Sequence, residues 1–175
     1  MKFANHHPTT TMKKKVINYV TALKSARITV SVVREDSHDA APTDTPERLA
    51  EFWKTIIAEQ PDHEADKESL VVVLLNARFR PFAWNRISLG TVDSCVAHPR
   101  DIIRPVIVGG AYGFALAHNH PSGDPTPSDA DLRITRRMVE VSGLIQIRFL
   151  DHLIVGEPSP GRQGYYSFRE AGIIR

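Results

Sequence analysis

The chain has 175 residues, 42% of them hydrophobic and 24% charged, which suits one globular domain with a core of its own. A single cysteine excludes an intramolecular disulfide and favours a reducing compartment, and no apolar run reaches the ~18 residues that a membrane span needs. The net charge of +2 is unevenly spread: six of the 22 basic residues, and none of the 20 acidic ones, fall within residues 1–27. Such an arm could touch nucleic acid or another polyanion. The plainer reading is a solvated tail. No apolar stretch precedes a small-residue cleavage site, so the expected location is the cytoplasm, without secretion or membrane insertion.

The predicted elements follow in chain order. Residues 1–27 read as a basic, flexible arm with a short helix over Val16–Leu23, and the folded domain is expected over 28–175. Ile28–Val33 alternates apolar and polar residues as a half-buried strand does. Ser37–Thr43 is a loop. Asp44-Thr45-Pro46-Glu47 supplies a cap, a proline in the first turn and an early acid, so a helix is predicted over 45–59. Leu49, Phe52, Trp53, Ile56 and Ile57 fall on its inner face. A polar linker, 60–68, leads to Leu70–Leu75, a continuous apolar run expected as a central strand covered on both sides. Asn76–Pro81 turns the chain into a hairpin partner, Phe82–Leu89.

His98-Pro99-Arg100-Asp101 opens a short helix that Pro105 bends or segments and Gly109-Gly110 ends. Tyr112–Ala117 is a second buried strand, and it delivers the chain into His118. A stiff loop with Pro121, Gly123, Pro125 and Pro127 precedes a helix capped by Ser128, running to about Ser142 with Gly143 at its end. Ile145–Leu150 and Leu153–Val155 read as strand interrupted at Asp151-His152. Tyr165–Phe168 is a last short strand. The mixture predicts an α/β sandwich with a mixed sheet.

Chemistry concentrates in His118-Asn119-His120-Pro121-Ser122-Gly123, followed by Ser128 and Asp131. Two histidines one residue apart point the same way on extended backbone. A carboxylate then arrives from the first turn of a helix. Three such ligands on a zinc ion leave a fourth position for water or substrate, as in catalytic sites, whereas closed structural sites use four ligands and usually thiolates. Ser128-x-x-Asp131 also has the form of a helix-start motif, and the two roles are compatible. The sequence lacks the Pro-Cys-x-x-Cys of zinc deaminases. Asp151 and His152 read either as groups that orient a ligand imidazole or as satisfied core side chains. His98 reads as a cap or turn residue, His6, His7, His38 and His63 as solvated, and Trp53 and Trp84 as packing residues.

From about Ile28 to Ile174 the chain resembles the RadC-like branch of the JAMM/MPN metalloprotease superfamily. The resemblance rests on His118-Asn-His-Pro-Ser-Gly-Asp-Pro-Thr-Pro-Ser128-Asp-Ala-Asp131, supported by Val73-Leu-Leu-Asn-Ala77, Ser88-Leu-Gly-Thr91, His98-Pro-Arg100, Asp151-His-Leu-Ile-Val-Gly156 and Tyr165-Tyr-Ser-Phe168. It implies an MPN-like three-layer sandwich, the mixed sheet flanked by helices. It also implies one Zn²⁺ per chain on His118, His120 and Asp131, with Ser128 bonded to the water or the tetrahedral intermediate. Glu68, at the start of the first core strand, would be the proton shuttle, and Glu64 is less well placed. The implied activity is zinc-dependent hydrolysis of a peptide or isopeptide bond in a peptide or protein substrate. The alternative is a non-catalytic DNA-repair or mobile-element accessory protein with a structural or vestigial metal site. Hydrolysis of another bond, such as a phosphodiester, is a third reading. Longer members carry a helical N-terminal domain where this chain has its arm.

Overall fold

A computed structural model describes residues 15–23, 26–34, 41–90 and 97–175, the first two segments as backbone alone. Among the described residues, seven strands form one sheet: β1 (Lys15–Leu23), β2 (Ala26–Arg34), β3 (Ser69–Leu75), β4 (Pro81–Leu89), β5 (Gly113–Asn119), β6 (Arg148–Val155) and β7 (Tyr165–Ser167), in the order β1-β2-β4-β3-β5-β6-β7. All neighbours are antiparallel except β5 and β6, so the sheet is mixed.

The helix expected over Val16–Leu23 is a strand, paired residue for residue with β2. Val16, Ile17, Val20 and Thr21 are β-branched, which disfavours a short isolated helix and suits pleated pairing. The division expected at residue 27 therefore falls inside a hairpin. Residues 1–14 and 35–40, and with them His6, His7, His38 and most of the predicted loop, lie outside the described residues, as does the Thr91–Val96 stretch with Cys95.

β3 is buried along its whole length, as its unbroken apolar run predicts. Leu70, Val72 and Leu74 face a core shared with Phe114 and Leu116 of β5 and with helices α2 (Pro99–Val108) and α3 (Asp129–Ile145). Val71, Val73 and Leu75 face the other core, under α1 (Pro46–Phe52) and the wider π turn Trp53–Ile57 that continues it. Helices thus cover both sides of the sheet in three layers. Thr45 caps α1 by accepting from Arg48 N at 3.4 Å, and Pro46 occupies the first turn. Pro105 sits inside an unbroken α2, which ends at Gly109.

Two boundaries differ from the sequence reading. α3 runs through Gly143 to Ile145, and the left-handed cap is Gln146 (φ 57°). β6 runs on through Asp151-His152 with a register shift against β5 between the Phe114–Phe149 and Leu116–His152 pairs, and both side chains find partners inside the fold. The buried Asp151 accepts from Ser167 Oγ at 2.6 Å, from His152 N at 2.8 Å and from Arg169 N at 3.0 Å, tying β6 to the turn after β7. His63, expected in solvent, lies edge-on to Trp53 with ring centroids 5.9 Å apart. Among the described residues, no helix is long and apolar enough to cross a membrane.

Removing the Asp151 carboxylate strands three donors. Asp151→Ala is expected to lower unfolding free energy by about 3 kcal/mol. Asp151→Asn, which keeps an acceptor oxygen, should cost less. Chemical denaturation of both variants measures the difference.

Candidate metal centre

The end of β5 carries the site. His118 lies in register with Leu70 of β3 and Ile154 of β6, on the same sheet face as Phe114 and Leu116, and so points toward α3. His120 sits two residues on and keeps strand-like pairing through its N–H to Val155 O at 2.9 Å. Both imidazoles therefore face the first turn of α3, where Asp131 waits.

The loop between them is held tightly. Gly123 (φ 75°) accepts from Glu157 N at 2.8 Å, and Gly156 packs so closely that a Cβ there would stand 2.5 Å from Gly123 O. Asp124 pairs with Arg162 at 2.8 Å. The backbone carbonyl of Asp124 in turn accepts from His120 Nδ1 at 2.7 Å. A carbonyl can only accept, so the Nδ1 of His120 carries the proton and its Nε2 presents a lone pair.

Three donor atoms converge. His118 Nε2 and His120 Nε2 are 3.1 Å apart, and Asp131 reaches them with Oδ1 at 3.3 Å and Oδ2 at 3.6 Å, respectively. All ligating atoms lie within 4.8 Å of one another. The two Asp131 oxygens are not equivalent. Oδ2 accepts from Ser128 N at 2.8 Å and Ser128 Oγ at 2.6 Å, which leaves Oδ1 unengaged by Ser128 and turned to His118. Ser128 Oγ accepts from Asp131 N at 3.2 Å, so the expected capping motif and the expected ligand are the same pair of residues. The hydroxyl proton is directed at Asp131, and an oxyanion role would require it to turn away.

The electrostatics suit a cation. Burial pushes His118 down to about 4, so it is neutral at pH 7. Burial would raise the Asp131 carboxyl, but the two imidazoles beside it and the hydrogen bonds from Ser128 outweigh it and hold the group lowered. Burial likewise opposes a charged His120, yet Asp131 and the Asp124 carbonyl raise it. An imidazole pair and a carboxylate packed this closely repel unless a proton or a metal ion lies between them. The donor set, two nitrogens and one oxygen, suits zinc chemistry.

Glu68 and Asn119 complete the surroundings. The β3–β5 register, continued two residues past Leu70 opposite His118, sets Glu68 opposite His120. Burial raises the Glu68 carboxyl and the Asp131 charge raises it further, while His120 opposes them. Asn119 points to the other face, where its Oδ1 accepts from Ser69 N at 2.9 Å and its Nδ2 donates to Lys67 O at 3.0 Å. It thereby brackets Glu68. Glu64 instead pairs with Lys67.

Of the two readings open for Asp151 and His152, His152 takes the one in which it orients a candidate ligand imidazole, while the Thr135 contact behind it escaped the sequence. His118 Nδ1 lies 2.9 Å from His152 Nε2, and His152 Nδ1 lies 2.6 Å from Thr135 Oγ1. Thr135 follows Asp131 by four residues and so shares its helix face, a spacing that could have flagged it. His98 occupies the N-cap position of α2, but its side chain makes no capping hydrogen bond.

Purified protein is expected to hold about one divalent ion per chain. His120→Ala should lose most of it, by elemental analysis after dialysis against excess zinc and then buffer, because three protein ligands fall to two.

The sequence matches the profile of the RadC-like JAB domain over residues 43–173. It is 45% identical over 107 residues to UPF0758 protein STH371 of Symbiobacterium thermophilum, covering 61% of this chain and 44% of that protein. It is 44% identical over 109 residues to a UPF0758 protein of Rubrobacter xylanophilus, with 62% and 45% covered. A UPF0758 protein of Thermotoga maritima is 37% identical over 129 residues, with 74% and 56% covered. The alignments thus span about half the length of these relatives. Fold, motif and profile agree: the chain belongs to the RadC-like JAB domain family.

Proposed function

We propose that this domain is a cytoplasmic zinc-dependent hydrolase that cleaves an amide bond, peptide or isopeptide, in a peptide or protein substrate. The observation that carries this reading is the placement of Glu68. Extending the β3–β5 register by two residues brings it across from His120, and its carboxyl is raised by burial and by the Asp131 charge.

One zinc ion on His118 Nε2, His120 Nε2 and Asp131 would supply a water with a pKa near 7 and polarise a substrate carbonyl. Glu68 would take a proton from the attacking water and return it to the leaving amine, work for which a raised carboxyl is better matched than an ordinary one. Ser128 would donate to the developing oxyanion. Its backbone N–H already serves Asp131 Oδ2 at 2.8 Å, so the hydroxyl can turn without leaving that oxygen unpaired. The approach is from the His120 side, because the His118 side chain is buried and that of His120 is partly exposed. A neutral amide fits this setting better than a phosphodiester, which would bring another anion beside Asp131 and Glu68.

Zinc-loaded protein is expected to cut members of a panel of unstructured peptides and isopeptide-linked conjugates. Glu68→Gln should lower kcat by at least about 10²-fold while zinc content stays at the wild-type level. Because only the ionised carboxylate accepts a proton, kcat/KM should rise with pH through an apparent pKa above the ordinary glutamate value. Zinc-loaded protein that cleaves no amide on the panel would turn the reading to the non-catalytic accessory role.

A further inference from the structure

His118 is held from behind by a chain of hydrogen bonds that ends on another ligand. Thr135 Oγ1 lies 2.6 Å from the Asp131 backbone oxygen and 2.6 Å from His152 Nδ1, and His152 Nε2 lies 2.9 Å from His118 Nδ1. Two oxygens 2.6 Å apart repel unless a proton lies between them, and a carbonyl has none to give. The single Thr135 hydroxyl proton is therefore on the bond to Asp131 O. The same hydroxyl must then accept from His152 Nδ1–H. A neutral His152 has no second proton, so its Nε2 accepts from His118 Nδ1–H, and His118 Nε2 is left as a bare lone pair aimed at His120 and Asp131.

The surroundings keep His152 in this role. Its ring is fully buried and stacks on Phe168 with centroids 4.9 Å apart and planes 14° from parallel. Neither ring nitrogen meets a carboxylate, so nothing in this buried position would hold a second proton on the ring. Its register on β6, opposite Leu116, sets it one step behind His118 on the face that α3 covers. His120 needs no such chain, since the Asp124 carbonyl fixes its tautomer directly.

We infer that Thr135 and His152 are positioning residues that lock His118 in the Nδ1–H tautomer and couple it to the Asp131 backbone, so that two metal ligands from different elements are set together. This inference rests on the metal-binding part of the reading above and not on the hydrolysis.

The test is nitrogen-15 NMR of the histidine side chains in metal-free protein, paired with zinc titration against a competing chelator. Wild-type His118 is expected with its proton on Nδ1 and an unprotonated Nε2. Thr135→Val, which keeps the shape and removes the hydroxyl, should mix the His118 tautomers and weaken zinc binding by about 10- to 100-fold. Thr135→Ser should restore both. A wild-type proton on His118 Nε2 would mean that the chain runs in reverse, and it would overturn the inference even if Thr135→Val fails to fold. So would a folded Thr135→Val that leaves either the tautomer or the zinc affinity at the wild-type value. No substrate enters these measurements, so a failure to cleave amides would leave the inference standing.

Discussion

The two ladders of β5 set the register on which the site depends. Toward β3, the ladder sets Leu70 against His118 and, by extension, Glu68 against His120. Toward β6, the parallel ladder sets Leu116 against His152 and His118 against Ile154. Because side chains alternate across a strand, the even-numbered residues of β5 meet α3 while the odd ones meet the α1 layer. Asp131, Thr135 and Met138 descend α3 at helical spacing on its buried face, Asp131 beside His118, Thr135 against His152 of β6 and Met138 in the core with Phe114 and Leu116. A slip of one residue in either ladder would send both imidazoles to the wrong side of the sheet.

This geometry gathers groups that disfavour one another's company. A neutral buried imidazole, a second imidazole raised by its neighbours and a lowered carboxyl lie with their donor atoms within 4.8 Å of one another. Each is held by a partner on its far side: His118 by His152, His120 by the Asp124 carbonyl, Asp131 by Ser128. The outward bonds fix the rings and leave the inward lone pairs free. Convergence of lone pairs is unfavourable in isolation, and a divalent cation reverses its sign.

Much of this was legible in the sequence. The unbroken Leu70–Leu75 run announced a strand covered twice, and Thr45-Pro46 announced the start of α1. His118-x-His120 with Ser128-x-x-Asp131 announced the donor set, since strand and helix periods bring those residues to one side. The residues that escaped are ones whose meaning is tertiary. Asp151-His152 interrupts an apolar pattern, and only Ser167, Arg169 and Thr135, distant in sequence, explain why the strand goes on. Gly143 looked like a helix end because glycine favours that position, yet nothing there obstructs the helix, and the left-handed residue came at Gln146. Val16–Leu23 has too few residues for its period to separate helix from strand, and its pairing with β2 decides the matter.

Asn119 stands between His118 and His120 and turns the opposite way, onto the backbone on either side of Glu68. One peptide unit of β5 therefore gauges the spacing between the imidazoles in front and the acid beside them. Thermal bending of the sheet would carry imidazoles and acid as a unit, whereas a shorter or apolar side chain at that place would uncouple them with no change to His118, His120 or Asp131.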